Sequence, residues 1–112
     1  MTAPEELSIG AVAERSGVAV SALRFYEDKG LITSERTDGG QRRYHRDVLR
    51  RLAFISVAQR VGLRLDEIRA ALDGLPANAS PVGEEWARLS ASWRPMLDER
   101  IRLLEGLRDD VA

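Results

Sequence analysis

Arg24 follows Ser21 by three residues, and between Arg36 and Arg51 six arginines (36, 42, 43, 46, 50 and 51) face only Asp38 and Asp47. A guanidinium presents a fork of N–H donors that matches phosphate oxygens or the guanine edge, and a serine hydroxyl can donate or accept. The hydroxyls of Tyr26 and Tyr44 suit the same oxygens. The segment carries a local excess of four positive charges in a chain whose net charge is −1, so affinity for a polyanion would be a property of this stretch alone. A blander arrangement fits the same residues. The arginines could form a solvated face paired with Glu27, Asp28, Asp38 and Asp47, with both tyrosines in the core and their hydroxyls wet.

Other chemistries find little support. Without a cysteine there is no disulfide, thiolate nucleophile or thiolate-held metal. His45, the one histidine, sits beside the basic run at a strand-to-helix junction and suits a cap or a phosphate neighbour better than a ligand set. Asp66, Glu67, Asp98 and Glu99 lie on the polar sides of helices, where helix-start and solvation roles suffice. No glycine loop of phosphate-cradling form and no paired-carboxylate site is present, so neither an enzyme nor a metal site is expected. With 44% apolar and 31% charged residues, the composition is that of a folded, soluble, helix-rich protein. No apolar run could span a membrane and the first ten residues lack a signal peptide's pattern, so a cytoplasmic protein with no membrane partner is expected.

The elements that must position these residues are mainly helical. Ser8 can cap a short helix bearing Ile9, Val12 and Ala13, with Gly17 after its end. A second helix is expected from about Val18 to Lys29, with Leu23 and Tyr26 on one face and Gly30 as its stop. Two short helices about a glycine turn suggest a helix-turn-helix. Thr33–Arg36 and Gln41–Tyr44 can pair around Asp38-Gly39-Gly40 as a hairpin wing. Val48, Leu49, Leu52, Ile55 and Val61 then form a helical stripe ending at Gly62, and Leu65, Ile68 and Leu72 mark a further short helix.

The residues after Gly74 read as a loop, and Glu84–Val111 as one long helix. Its apolar residues Trp86, Leu89, Trp93, Leu97, Ile101, Leu104 and Leu107 recur in steps of three and four, a stripe suited to dimerisation. Pro95 lies inside that stretch and predicts either a kink near Ala91–Pro95 or two helices meeting there. The organisation expected is a head over residues 7–75, a hinge over 76–83 and a dimerisation helix over 84–112. Two functions remain open from residues alone. The head reads DNA through Ser21 and Arg24 at base edges and Arg36, Arg42, Arg43, Tyr26 and Tyr44 at phosphates, or it is a scaffold for a helix that pairs with another protein.

Leu23-Arg24-Phe25-Tyr26-Glu27-Asp28-Lys29-Gly30-Leu31-Ile32, with Gln41-Arg42-Arg43-Tyr44 following, resembles the heart of the MerR family of transcription regulators. Ser16–Leu23, Gln41–Leu49, Glu85-Trp86, Leu89-Ser90, Trp93-Arg94, Leu97-Asp98 and Leu107–Asp109 extend the likeness to the redox-sensing SoxR branch over about Leu7 to Asp110. The resemblance implies a homodimer joined by antiparallel C-terminal helices, with two winged helix-turn-helix heads on a pseudo-palindromic promoter. It implies a regulator that bends and untwists an over-long promoter spacer so that RNA polymerase can engage both elements. It also implies DNA contacts by Arg24, Tyr26, Arg42, Arg43 and Tyr44. SoxR proteins carry a cysteine cluster for a two-iron, two-sulfur centre just after the pairing helix, which these residues lack. Either a cysteine-bearing segment has been removed, or this is a cluster-less relative; no cofactor is expected in these residues themselves.

Overall fold

The computed structural model describes residues 6–111, the last of them by its backbone alone. They form two compact units, one ending at Ser80 and one beginning at Pro81. The first contains β1 (Glu6–Ser8), α1 (Ile9–Ser16), α2 (Val20–Asp28), β2 (Glu35–Arg36), β3 (Arg42–His45), α3 (Val48–Arg60) and α4 (Leu65–Leu72); the second is α5 (Gly83–Val111). The fold is a mainly helical winged helix-turn-helix followed by a long helix.

The helix-turn-helix forms from local signals. The Ser8 Oγ accepts the Ala11 amide at 3.2 Å, satisfying one of the donors that a helix start leaves open. Gly17 ends α1 in the left-handed region (φ 75°) and donates its N–H to the Ala13 carbonyl at 3.0 Å, a conformation that costs glycine nothing. Ala19 then precedes α2 without a side-chain acceptor, so the first amides of that helix are left to outside acceptors.

The wing has a strand that its residue pattern did not announce. The antiparallel order is β1-β3-β2, with Leu7 opposite Tyr44, Ser8 opposite Arg43, and Arg36 opposite Arg42. Three residues are too few to show alternation, and the pairing of β1 with β3 joins positions far apart in the chain. The turn between β2 and β3 closes through Thr37 N–H to the Gln41 carbonyl and Gly40 N–H to the Thr37 carbonyl, both 2.8 Å.

Leu7, Val12, Leu23, Leu31, Ile32, Tyr44, Val48, Leu52, Ile55, Ala58, Leu63, Ile68 and Leu72 make the core of the first unit. Each large aliphatic among them contributes about 1.5–3 kcal/mol by leaving water. Val61, expected on the stripe of α3, lies beyond the helix and is exposed, while Arg51, near the start of α3, is buried among the core residues. In α5 the helix runs unbroken through Pro95 from Gly83 to Val111. One turn earlier, the Ser90 and Ser92 hydroxyls donate to the Ala87 and Leu89 carbonyls at 3.1 and 2.7 Å. Neither bond reaches the Ala91 carbonyl, the one that Pro95 leaves without its helical N–H donor.

Candidate nucleic-acid interface

Arg24, Arg36 and Arg42 converge on one open cleft of about 630 Å³, lined also by Ser8, Ile9, Gly40 and Gln41. The reasons are geometric. Ser21 and Arg24, three apart on α2, share a helical face and are both exposed. Arg36 and Arg42 are cross-strand partners in the wing, so their side chains leave the same face of the sheet. Arg36 Nη1 donates to the Gly40 carbonyl at 3.1 Å, which ties that guanidinium to the turn. Among the described residues no carboxylate lines the cleft. Three like charges held together without a counter-charge in the lining create a positive potential that an anion relieves.

Glu27 stands behind this cleft. Its Oε2 lies 3.7 Å from Arg42 Nε, and its Oε1 accepts the Tyr44 hydroxyl at 2.6 Å. Arg42 and Tyr44 are two apart on β3 and therefore face α2 together. Tyr44, expected to touch phosphate, is a core residue with no exposed surface. Its register opposite the buried Leu7 sends the ring inward, and its hydroxyl is committed to Glu27. Tyr44 is thus joined to Arg42 through Glu27.

Burial, and next the hydrogen bond to Glu27, push the Tyr44 phenol up to about 12 from its ordinary 10.0. A raised pKa means that the folded state favours the neutral phenol. Its stabilisation is full below pH 10 and is lost as pH rises toward 12, an effect on the order of 2–3 kcal/mol for a shift of this size. Tyr44→Phe should remove that part of the alkaline unfolding transition while costing about 1 kcal/mol near neutrality. Chemical denaturation at pH 7 and across pH 9–12 measures both.

The remaining expected contacts are dispersed. Tyr26 is half-buried and donates its hydroxyl to Gln59 Oε1 at 2.9 Å. Arg43 projects to the opposite face from Arg42, as neighbours on a strand must, into a separate cavity of about 250 Å³ that also holds Glu6, Glu35 and His45. The two wing arginines are thus not one patch. His45 Nδ1 accepts the Asp47 amide at 3.1 Å, a local cap at the start of α3.

Sequence reasoning missed Gln41 and Ser8 as cleft-lining residues and Arg51 as a buried one. The spacing of Val48, Arg51, Leu52 and Ile55 carries a signal for the last, since positions i, i+3, i+4 and i+7 share a helical face. On α5, Trp86, Ile101, Leu104 and Leu107 are 46–65% exposed, while Leu89, Trp93 and Leu97 are partly covered. Leu103 is also exposed and shares a face with Leu107, four residues on.

An iron–sulfur centre does not fit the donor set of these residues. The chain has no cysteine, and among the described residues no group of three or more His, Cys, Asp or Glu is placed to hold a metal ion. Among the described residues, no helix is long and apolar enough to cross a membrane.

A glycine-turn helix pair with a basic wing beside its second helix defines the class: a winged helix-turn-helix DNA-binding domain. The chain belongs to the MerR family. Residues 7–75 match the MerR HTH family regulatory protein model, and residues 49–112 match the family's "MerR, DNA binding" model. It is 51% identical to an HTH-type transcriptional activator SoxR homolog from Chromobacterium violaceum, over 94% of this chain and 71% of that protein. Other relatives are matched over less than half of their own length. Among solved structures, a MerR family transcriptional regulator from Listeria monocytogenes aligns with a TM-score of 0.72 at 28% identity, covering 94% of this chain and 80% of that one. The N-terminal part of MtaN, the Bacillus subtilis multidrug transporter activator, aligns at 0.62 with 31% identity and 92% coverage of both chains. The family is one of transcription regulators, not enzymes, and the chain carries the DNA-binding domain of such a regulator.

Proposed function

We propose that this chain binds double-stranded promoter DNA sequence-specifically as a homodimer and distorts the promoter spacer, aiding RNA polymerase indirectly. The observation that carries the reading is the cleft in which α2 and the wing bring Arg24, Arg36 and Arg42 together with no carboxylate in its lining. In a helix-turn-helix the start of the second helix enters the major groove, where Arg24 pairs with guanine O6 and N7 and Ser21 with a neighbouring edge. Arg36 and Arg42 take phosphate oxygens beside the groove, and the uncapped amides of α2 add a further anion contact. Tyr26 and Tyr44 support α2 and the wing from behind through Gln59 and Glu27. In this reading residues 7–75 are the DNA-binding domain, 76–83 the connection and 84–112 the dimerisation helix.

The long helix supports the dimer. At about 1.5 Å per residue α5 is roughly 40 Å long, and Ile101, Leu104 and Leu107 leave an apolar stripe in water. A second copy presents the same stripe and can cover it by two-fold symmetry. Two heads joined through the paired helices then grip the duplex at two places, and phosphate contacts there offset the energy of deforming the DNA between them. Fluorescence resonance transfer between dyes at the two ends of a bound promoter duplex tests this. A rise in transfer on binding, at two chains per duplex, supports the reading; binding with unchanged transfer removes the distortion, and one chain per duplex removes the dimer.

A further inference from the structure

The loop after α4 closes onto the root of the wing. Asn78, buried and in the left-handed region at φ 60°, brackets the backbone of Thr33: its Oδ1 accepts the Thr33 amide at 2.9 Å and its Nδ2 donates to the Thr33 carbonyl at 2.7 Å. Thr33 lies two residues before β2, the strand that ends in Arg36. Arg51 makes a second fastening. From α3 its Nε donates to the Leu31 carbonyl at 2.7 Å, and its Nη1 donates to the carbonyls of Pro76 and Ala79, each at 3.3 Å. Among the described residues no buried side-chain polar atom lacks a partner, so this network is complete.

A buried cation that spends its donors on three backbone carbonyls gains no large ion-pair energy in exchange for its lost hydration. What it does is fix geometry. Leu31 to Thr33 connect α2 to the wing, so they set the wing's distance from the helix that reads bases. Neither α2 nor β2 alone holds that distance, because β2 has two residues and, among the described residues, pairs only with β3. Resting on the assignment of the cleft to DNA, we infer that Asn78 and Arg51 are positioning residues for DNA binding. They latch the segment 76–79 to the root of the wing and thereby hold Arg36 and Arg42 in register with Arg24. The same segment runs directly into the long helix, five residues from Asn78 to Gly83.

The test is Asn78→Gly, which accommodates the left-handed backbone and removes only the side chain. Thr33 is exposed, so water replaces the lost bonds and the head stays folded. Two readouts are taken on the full chain: amide hydrogen exchange without DNA, and affinity for a duplex that the wild-type protein retains. The expected result is faster exchange at Thr33, unchanged exchange at core amides such as Val12 and Ile55, and affinity lower by roughly tenfold, the size set by two modest hydrogen bonds. Asn78→Asp keeps the acceptor for the Thr33 amide and should recover much of the protection and part of the affinity. It also serves if the glycine variant proves unstable. Faster Thr33 exchange with unchanged affinity would overturn the positioning role, and unchanged exchange would overturn the latch. Failure of the wild-type chain to retain any duplex would instead remove the assignment of the cleft, and this inference with it.

Discussion

Arg24→Ala should lower affinity for the specific duplex by about 1–3 kcal/mol, roughly 5- to 150-fold, and make the protein indifferent to the base pair it faced. The size follows from the bidentate pairing that a guanidinium makes with guanine and alanine cannot replace. Arg42→Ala behaves differently if it holds phosphate. Its loss should weaken binding to all sequences alike and reduce the slope of log affinity against log salt by about one. Anisotropy titrations on the selected duplex and on single-base variants, at several salt concentrations, separate the two. Equal losses on all sequences for Arg24→Ala would move that residue to the backbone and leave the reading of bases to Ser21 or another group. Arg24 is exposed, so the fold should be unaffected.

The second large effect is expected at the long helix. Leu104→Asp places a carboxylate in the apolar seam between two copies, a burial that costs several kcal/mol when unmatched. The dimer dissociation constant should rise by more than about 100-fold. Arg102→Asp is the internal control. Arg102 is also exposed, and two residues along a helix turn the side chain by about 200°, away from the stripe. Sedimentation equilibrium should therefore show monomers for Leu104→Asp and dimers for Arg102→Asp. If both variants stay dimeric, the stripe is not the seam. If both dissociate, the effect is one of charge rather than of place.

What was legible in the sequence follows the range of each signal. Ser8 before an apolar repeat, Gly17 after it and Gly30 at the next stop are local, and each marks the end of an element. The long helix was legible from its stripe, and Pro95 did not divide it. The strand Glu6–Ser8 was not legible, because its identity depends on a partner nearly forty residues away. The site shows the same division. Residue type singled out Arg24, Arg36 and Arg42, and the fold brings them to one cleft. Residue type also grouped Arg43 and Tyr44 with them, where strand alternation sends one to the opposite face and the other inward. The blander arrangement held in part: Glu27 does accompany Arg42, and Tyr44 is in the core. Arg51, counted with the basic run, works inside the protein, and its partners are carbonyls that no side-chain pattern announces.

The most direct test of the central claim is selection from a random-sequence duplex library, with the retained DNA sequenced at two salt concentrations. Recovery of one inverted-repeat motif, with retention that falls steeply as salt rises, is the result expected of a dimer that reads bases through Ser21 and Arg24 and grips phosphates through Arg36 and Arg42. Retention without any motif, or none at moderate salt, would contradict it and leave the head as a scaffold for the long helix.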